Sequence, residues 1–552
     1  MRKICQGIIF TAAHLATVIF IYGNVLADAN RSSGNVYWLK FSEKAAGKPI
    51  AVSERALARR MVRASIANHF WHDLPVKSEY LEDLRKRGIR IRNISRWLNA
   101  VSAVIPPEKI GQIAQLPYIA EITRVSSYSR PRTIPAPEAY PDILMTAGFD
   151  YGPSWNQINM ITVDSLHNLG LSGGGVLIGV MDTGFDTSHA VFSHLRSGGK
   201  IVATYDFING DPDVMDQPDV QRSHGTEVLS VLAGFNEGSL IGPAYGADFV
   251  LAKTELVFQE IQAEEDNWIA AAEWMESLGV DIISSSLGYI DWYDTTQLDG
   301  RTAAITQAAN AAVSLGVIAV NAAGNEGDTF WRKVIPPSDG DSVIAVGAVD
   351  RYGEIALFSS RGPTADGRIK PDFCAQGMSV YMANWAGGYG SAGGTSFATP
   401  LMAGGIALLL EGHPQWTLAD IFRALKTASS HRYLPNNTYG WGTPDFTAAY
   451  YEQTGSTMDS APSILIAPHP AVDSVFFYLS AKEAGRGELS IHDPAGTPIK
   501  RVAFTVDAPG TIAIVWDGEN DSGQKAASGI YLCVFTLGGR ETVEKFFLVS
   551  NR

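Results

Sequence analysis

Cysteine is nearly missing from this chain: three in 552 residues, at positions 5, 374 and 533. So few thiols, so widely spaced, exclude a disulfide-stapled scaffold and a paired C-x-x-C metal site. No H-E-x-x-H sequence occurs, so the helix-borne pattern of a zinc hydrolase is absent as well. Positive charge is in deficit, with 43 Lys and Arg against 57 Asp and Glu and a net charge of −14. A nucleic-acid binder wants a basic face, so no nucleic-acid partner is expected, and the acidic surplus suits solubility outside a cell. Solenoid repeats and low-complexity tracts are missing. Beyond the N-terminus no stretch approaches 18 apolar residues. What is present is 46% hydrophobic and 18% charged, a globular composition at a length that calls for several domains.

Four segments carry chemistry. Gly393-Gly394-Thr395-Ser396-Phe397-Ala398-Thr399-Pro400 sets a serine among small residues before an apolar run, Leu401 to Leu410. Ser396 then sits at a helix N-terminus, where unpaired N–H groups and the helix dipole favour developing negative charge, and Pro400 is expected in the first turn. Gly179-Val180-Met181-Asp182-Thr183-Gly184 follows the strand-like run from Val176, which places Asp182 at the carboxyl end of a buried parallel strand. Ser223-His224-Gly225-Thr226 opens a helix with an accessible imidazole. Val317 to Asn321 leads into Ala322-Ala323-Gly324-Asn325, where a Gly-flanked amide can donate to an oxyanion. Together these supply an orienting carboxylate, a base, a nucleophile and an oxyanion donor. Asp182-Thr183-Gly184 is also an aspartic-protease triplet, and Asp521-Ser522-Gly523 is a second. The latter sits in a turn-like run of another domain, and the alternating strands and helices around Asp182 are unlike an all-β aspartic protease.

The order is Asp182, His224, Ser396, with His224 42 positions after Asp182 and Ser396 172 positions after His224. That order is the subtilisin one. On these residues the chain resembles the subtilase family of serine endopeptidases over roughly residues 150–450. Further matches are Ser285-Ser286-Leu287-Gly288, Phe358-Ser359-Ser360-Arg361-Gly362-Pro363, Lys370-Pro371-Asp372 and Tyr439-Gly440-Trp441-Gly442. The resemblance implies peptide-bond hydrolysis of protein or peptide substrates. It also implies binding edges at Ser286, Leu287, Gly288, Ala323 and Gly324, and no required cofactor. Small walls there suggest an open primary pocket for bulky apolar or mixed side chains. Calcium commonly stabilises subtilases, but no dedicated loop is legible. Asp186, Asp211, Asp213 and Asp216 read as a solvated acidic loop. The chain departs from the family at Glu227, where many members carry a second His, and at Ser223, where Gly is frequent. A catalytically dead, surface-binding relative is the alternative reading, and intact Asp182, His224, Ser396 and Asn325 stand against it.

The fold expected is α/β: a doubly wound, mostly parallel sheet with a small α+β propeptide and a C-terminal β-sandwich. Residues 1–27 read as a signal peptide, with Arg2 and Lys3 before an apolar stretch and Val25-Leu26-Ala27 before the cut. This predicts secretion or surface display. Residues 28–125 resemble the inhibitory propeptides of subtilases, so the chain's own propeptide is an expected partner. Residues 126–150, with Pro131, Pro135, Pro137 and Pro141, form an extended processing linker. The peptidase domain spans 151–450, with strands at Val176–Met181, Phe249–Lys253, Val280–Ser285, Val317–Asn321 and Ser342–Val349, and helices at Gln259–Leu278 and Thr302–Leu315. A linker at 451–463 precedes a β-rich domain, 464–552. Its Trp516-Asp517-Gly518 and Gly529-Ile530-Tyr531 resemble the Ig-like sorting domains of bacterial type IX secretion, which implies that machinery as a partner. Cys374 and Cys533 are expected as free thiols packed as small hydrophobes.

Overall fold

The computed structural model describes residues 36–45, 49–64, 69–125, 148–215, 219–256, 263–452 and most of 463–549. The expected signal peptide, most of the expected processing linker, Asp216, residues 259–262 and the greater part of the expected second linker lie outside the described residues. The chain divides into two units, residues 1–452 and 453–552.

In the first unit, a module of four antiparallel strands comes first: β1 (Val36–Phe41), β2 (Arg90–Ser95), β3 (Ala100–Val104) and β4 (Ile119–Val125), ordered β2-β3-β1-β4. Helices α1 (Glu54–Arg63), α2 (Ser78–Lys86) and α3 (Pro107–Ala114) accompany it. Strands β2 and β3 form a hairpin, turned where Asn99 takes a φ of +50°. Ser53 caps α1 by accepting from Ala56 N, which satisfies one orphan donor of the first turn.

The central sheet of the first unit has seven strands: β5 (Leu177–Asp182), β6 (Ile201–Asp206), β9 (Asp248–Lys253), β10 (Ile282–Ser285), β11 (Ile318–Ala322), β12 (Ile344–Val349) and β13 (Phe373–Gln376). A short hairpin, β7 (Phe235–Asn236) with β8 (Leu240–Ile241), precedes β9. The order is β13-β12-β11-β10-β5-β9-β6, and every pairing within it is parallel. Strands β5, β10, β11 and β12 are buried at every position. Near-continuous apolar runs are what a sheet covered on both faces requires. Helices α4 (Ser223–Ala233) and α7 (Thr395–Gly412) lie in the core on one face. On the other, α5 (Ala263–Leu278) and α6 (Ala304–Ser314) pack in a cluster with Met181, Ile283 and Ala319. Strands β6 and β13 were not expected from the sequence. The first is largely half-buried, with little apolar contrast, and the second is only four residues long and follows Pro371.

The second unit holds seven strands: β16 (Ser463–Val472), β17 (Ser474–Ala481), β18 (Gly485–His492), β19 (Pro498–Val506), β20 (Gly510–Trp516), β21 (Gly529–Leu537) and β22 (Arg540–Val549). Before them the first unit ends its β structure with a hairpin, β14 (Val380–Ala383) and β15 (Tyr389–Ala392). The seven pair as β19-β18-β21-β22-β16-β17-β20, antiparallel except β16 with β22. The sheet folds on itself, since Phe477 of β17 packs 5.8 Å from Phe535 of β21, three places away. Cys374 and Cys533 are both buried, and neither is in a disulfide. Burial pushes the Cys374 thiol up to about 12, so it is inert as a nucleophile.

Candidate active site

The site forms at the carboxyl ends of the central strands, where an open α/β sheet leaves its crevice. Asp182 is the last residue of β5 and is fully buried. Its Oδ1 accepts from His224 Nδ1 at 2.8 Å and from the Thr183 amide at 2.7 Å, so the imidazole and the backbone grip the same oxygen.

His224 is the second residue of α4. Its neighbour has to be glycine. A Cβ on Gly225 would stand 2.1 Å from Gly184 O and 3.0 Å from Asp182 Cβ, so any larger residue would push the helix start away from β5. Gly184 itself has a φ of +136°, which only glycine adopts without strain.

Ser396 is the second residue of α7. Pro400 lies in the second turn, not the first as expected, so it removes the N–H that would bind Ser396 O. The Ser286 hydroxyl takes its place, donating to Ser396 O at 2.8 Å. In return the Ser396 hydroxyl donates to Ser286 O at 3.3 Å. These two bonds tie the end of β10 to the helix that carries Ser396. Asn325 follows β11. Its Oδ1 accepts from Thr395 N at 2.9 Å and from Thr395 Oγ1 at 3.0 Å, which leaves the amide nitrogen as the end nearest Gly394.

The suggested binding edges follow β10 and β11. The Leu287 side chain is buried in the core, and its carbonyl accepts from Asn321 Nδ2 at 2.9 Å. Cβ atoms on Gly288 and Gly324 would stand 2.6 Å and 2.8 Å from Ile335, and Ile335 N donates to Ala323 O at 3.0 Å. The glycines therefore admit Ile335, which sequence reasoning missed. The smallness of these walls does not by itself mean an open pocket.

Carboxylates crowd the imidazole. His224 is 32% exposed at its side chain. Burial opposes its positive charge, but Asp182, Glu227 and Glu255 outweigh that and raise it to about 9. Burial pushes Glu227 up to about 7, against the pull of His224 and with Asp182 adding to the rise. Burial likewise raises Glu255 to about 7, with the Tyr289 hydroxyl opposing and Asp182 reinforcing. Glu255 was not singled out from sequence. The available signal was its place just past Lys253, which pairs with Asp182 in the register of β9 and β5.

Among the described residues, no group of three or more His, Cys, Asp or Glu is arranged to hold a metal ion. Asp186 pairs with Arg222 at 3.2 Å and accepts from Ser188. Asp211 and Asp213 accept from backbone amides of their own loop.

The N-terminal module packs on α5. Arg60 reaches Asp73 at 2.6 Å and Glu276 at 2.9 Å, Arg59 pairs with Glu276, and Arg96 lies 3.3 Å from Glu276. Glu273 accepts from Ser95 Oγ at 2.7 Å, Arg63 pairs with Asp281 at 2.8 Å, and Arg92 lies 3.3 Å from Asp266. Trp38 and Trp97 share a core cluster with Trp268 and Trp274.

Comparison with known proteins agrees with this geometry. Residues 173–442 match the subtilase family, residues 36–137 the peptidase S8 propeptide domain of Bacteroidota, and residues 473–536 the FlgD Ig-like domain. The chain is 32% identical over 285 residues to a subtilisin of Bacillus pumilus, covering 51% of this chain and 93% of that protein. It is 29% identical over 360 residues to subtilisin E of Bacillus subtilis, covering 64% and 81%. In fold it is similar to the epidermin leader peptide processing serine protease of Staphylococcus aureus, at a TM-score of 0.54 and 17% identity, covering 77% of this chain and all of that one.

Proposed function

The chain belongs to the subtilase family of serine peptidases and is a serine-type endopeptidase; on that footing we propose that Asp182, His224 and Ser396 are its catalytic triad, and that it is secreted as a zymogen that processes itself. The observation that carries the triad is the hydrogen bond from His224 Nδ1 to Asp182 Oδ1 at a parallel strand's carboxyl end, in the unit whose α7 opens on Ser396.

His224 takes the proton from Ser396 Oγ as that oxygen attacks the scissile carbonyl. Asp182 fixes the imidazole tautomer and stabilises its charged form. Asn325 Nδ2 and the Ser396 amide donate to the oxyanion of the tetrahedral intermediate. His224 then protonates the leaving amine, and water releases the acyl-enzyme by the same route. The Ser396 hydroxyl turns from Ser286 O to His224 when substrate is bound, in keeping with catalytic hydrogen bonds that tighten only in the complex. No organic cofactor enters these steps, and calcium, if bound, has a structural role only.

The zymogen reading rests on the propeptide-family match and on the module's clasp of α5. Cleavage is expected within 126–150, and the C-terminal domain is read as a sorting or attachment domain for type IX export. Domain limits follow the sequence reading: signal peptide 1–27, propeptide 28–125, peptidase 151–450, Ig-like domain 464–552. Expression of residues 28–552 beside its Ser396→Ala form, assayed on casein, tests the reading. Hydrolysis and propeptide loss in the parent, both abolished in the variant, support it. Inert protein with the propeptide removed and the fold intact would favour a surface-binding role.

A further inference from the structure

Across the sheet, the site's parts appear in order. Asn325 and Ala323–Gly324 follow β11, Ser286–Gly288 follow β10, Asp182 ends β5, and Glu255 lies two residues past β9. The primary pocket edges thus stand on the β10–β11 side of His224, and Glu255 on the β5–β9 side. Two bonds fix Glu255 in that place. Gln221 Nε2 donates to Thr183 O at 2.8 Å and to Glu255 O at 2.7 Å, binding the end of β9 to the turn after Asp182. Tyr289, the residue after the Ser286–Gly288 edge, donates its hydroxyl to Glu255 Oε1 at 2.5 Å. The carboxyl group therefore bridges the catalytic histidine's surroundings and the substrate-binding edge.

Its partners are the Tyr289 hydroxyl and, through space, the His224 imidazole. Glu255 is half-buried and forms no ion pair among the described residues. Together with Asp182 and Glu227 it makes three carboxyl groups around one imidazole. Removing charge from water without an ion pair is costly, and burial with Asp182 nearby already holds the Glu255 carboxyl up to about 7. A cation brought beside it relieves both effects.

An extended peptide supplies side chains to opposite sides in alternation. When one side chain enters the gap between the β10 and β11 edges, the preceding one turns toward the β5–β9 side. We propose that Glu255 is a specificity-determining residue that selects lysine or arginine at the substrate position immediately before the one held by Ser286–Gly288 and Ala323–Gly324. The inference rests on the endopeptidase reading.

The test uses processed enzyme from residues 28–552 at mildly alkaline pH. Its substrates are peptides of one sequence in which only that position changes, among lysine, norleucine and glutamate. The expected kcat/KM is at least about tenfold higher for lysine than for norleucine, with glutamate lowest; about 1.4 kcal/mol corresponds to tenfold. In Glu255→Gln the lysine-to-norleucine ratio should fall toward one. A ratio near one in the wild type, or a ratio undiminished in Glu255→Gln, overturns the proposal. Should the variant fail to fold, the wild-type ratio decides. Norleucine-peptide hydrolysis that Ser396→Ala abolishes speaks for the peptidase reading separately. A ratio near one with that hydrolysis intact sinks only the Glu255 assignment, whereas a wholly inert enzyme sinks both.

Discussion

Each residue of the proposed triad stands at the end of one element, and each has a local reason for being there. Gly225 lets α4 start against β5, and Ser286 completes the carbonyl that Pro400 leaves open. Asn325 is held by two hydrogen bonds from Thr395, so its amide is set before substrate arrives. Replacing it with alanine should lower kcat on the order of 10²–10³-fold with KM little changed, as steady-state kinetics on a peptide would show. A matched fall in affinity without loss of kcat would speak against the oxyanion role. Glu227 acts at longer range. Its carboxylate stabilises the charged imidazole and so delays formation of the free base. Glu227→Gln should therefore shift the acid limb of kcat/KM to lower pH, and an unmoved or raised midpoint contradicts the electrostatics described. Asp182, His224, Ser396 and Asn325 were legible because each is flanked by small residues in a fixed local pattern. Glu255 and Ile335 were not, because their importance arises from strands that meet only in the fold.

At the level of elements, the sequence gives away buried strands and hides the contacts between modules. Runs such as Ile344–Val349 announce themselves by unbroken apolarity, whereas Ile201–Asp206 lies toward the sheet edge with few buried positions. Nothing in the sequence singles out the arginines at 59, 60, 92 and 96, yet all four are buried against carboxylates of α5 or its neighbours. Removing one partner of a buried pair costs about 3–5 kcal/mol, because the other charge is left unpaired. Glu276→Gln, made in the uncleaved Ser396→Ala chain, should therefore loosen the module from α5. Hydrogen exchange in β2 and β3 would report it as faster exchange there than in the parent. Unchanged protection would mean that the tryptophan cluster, not the arginine clasp, holds the two together.

The whole molecule is a peptidase sheet with an N-terminal module clasped to its helices and a separate C-terminal unit of seven strands. The doubly wound architecture could be read from the alternation of strand and helix patterns. The C-terminal β-sandwich could be read from short strand-like runs between turns, but its strand order could not, since pairs such as Phe477 and Phe535 are brought together by topology alone. The central claim is that this assembly serves one nucleophile, Ser396. The most direct measurement is mass spectrometry of processed protein treated with a fluorophosphonate, which labels only a serine activated by a base. The account predicts one adduct per chain, on the peptide containing Ser396, and its loss in His224→Ala from which another protease has removed the propeptide. Folded, processed protein that takes up no label, or takes it up elsewhere, would contradict it.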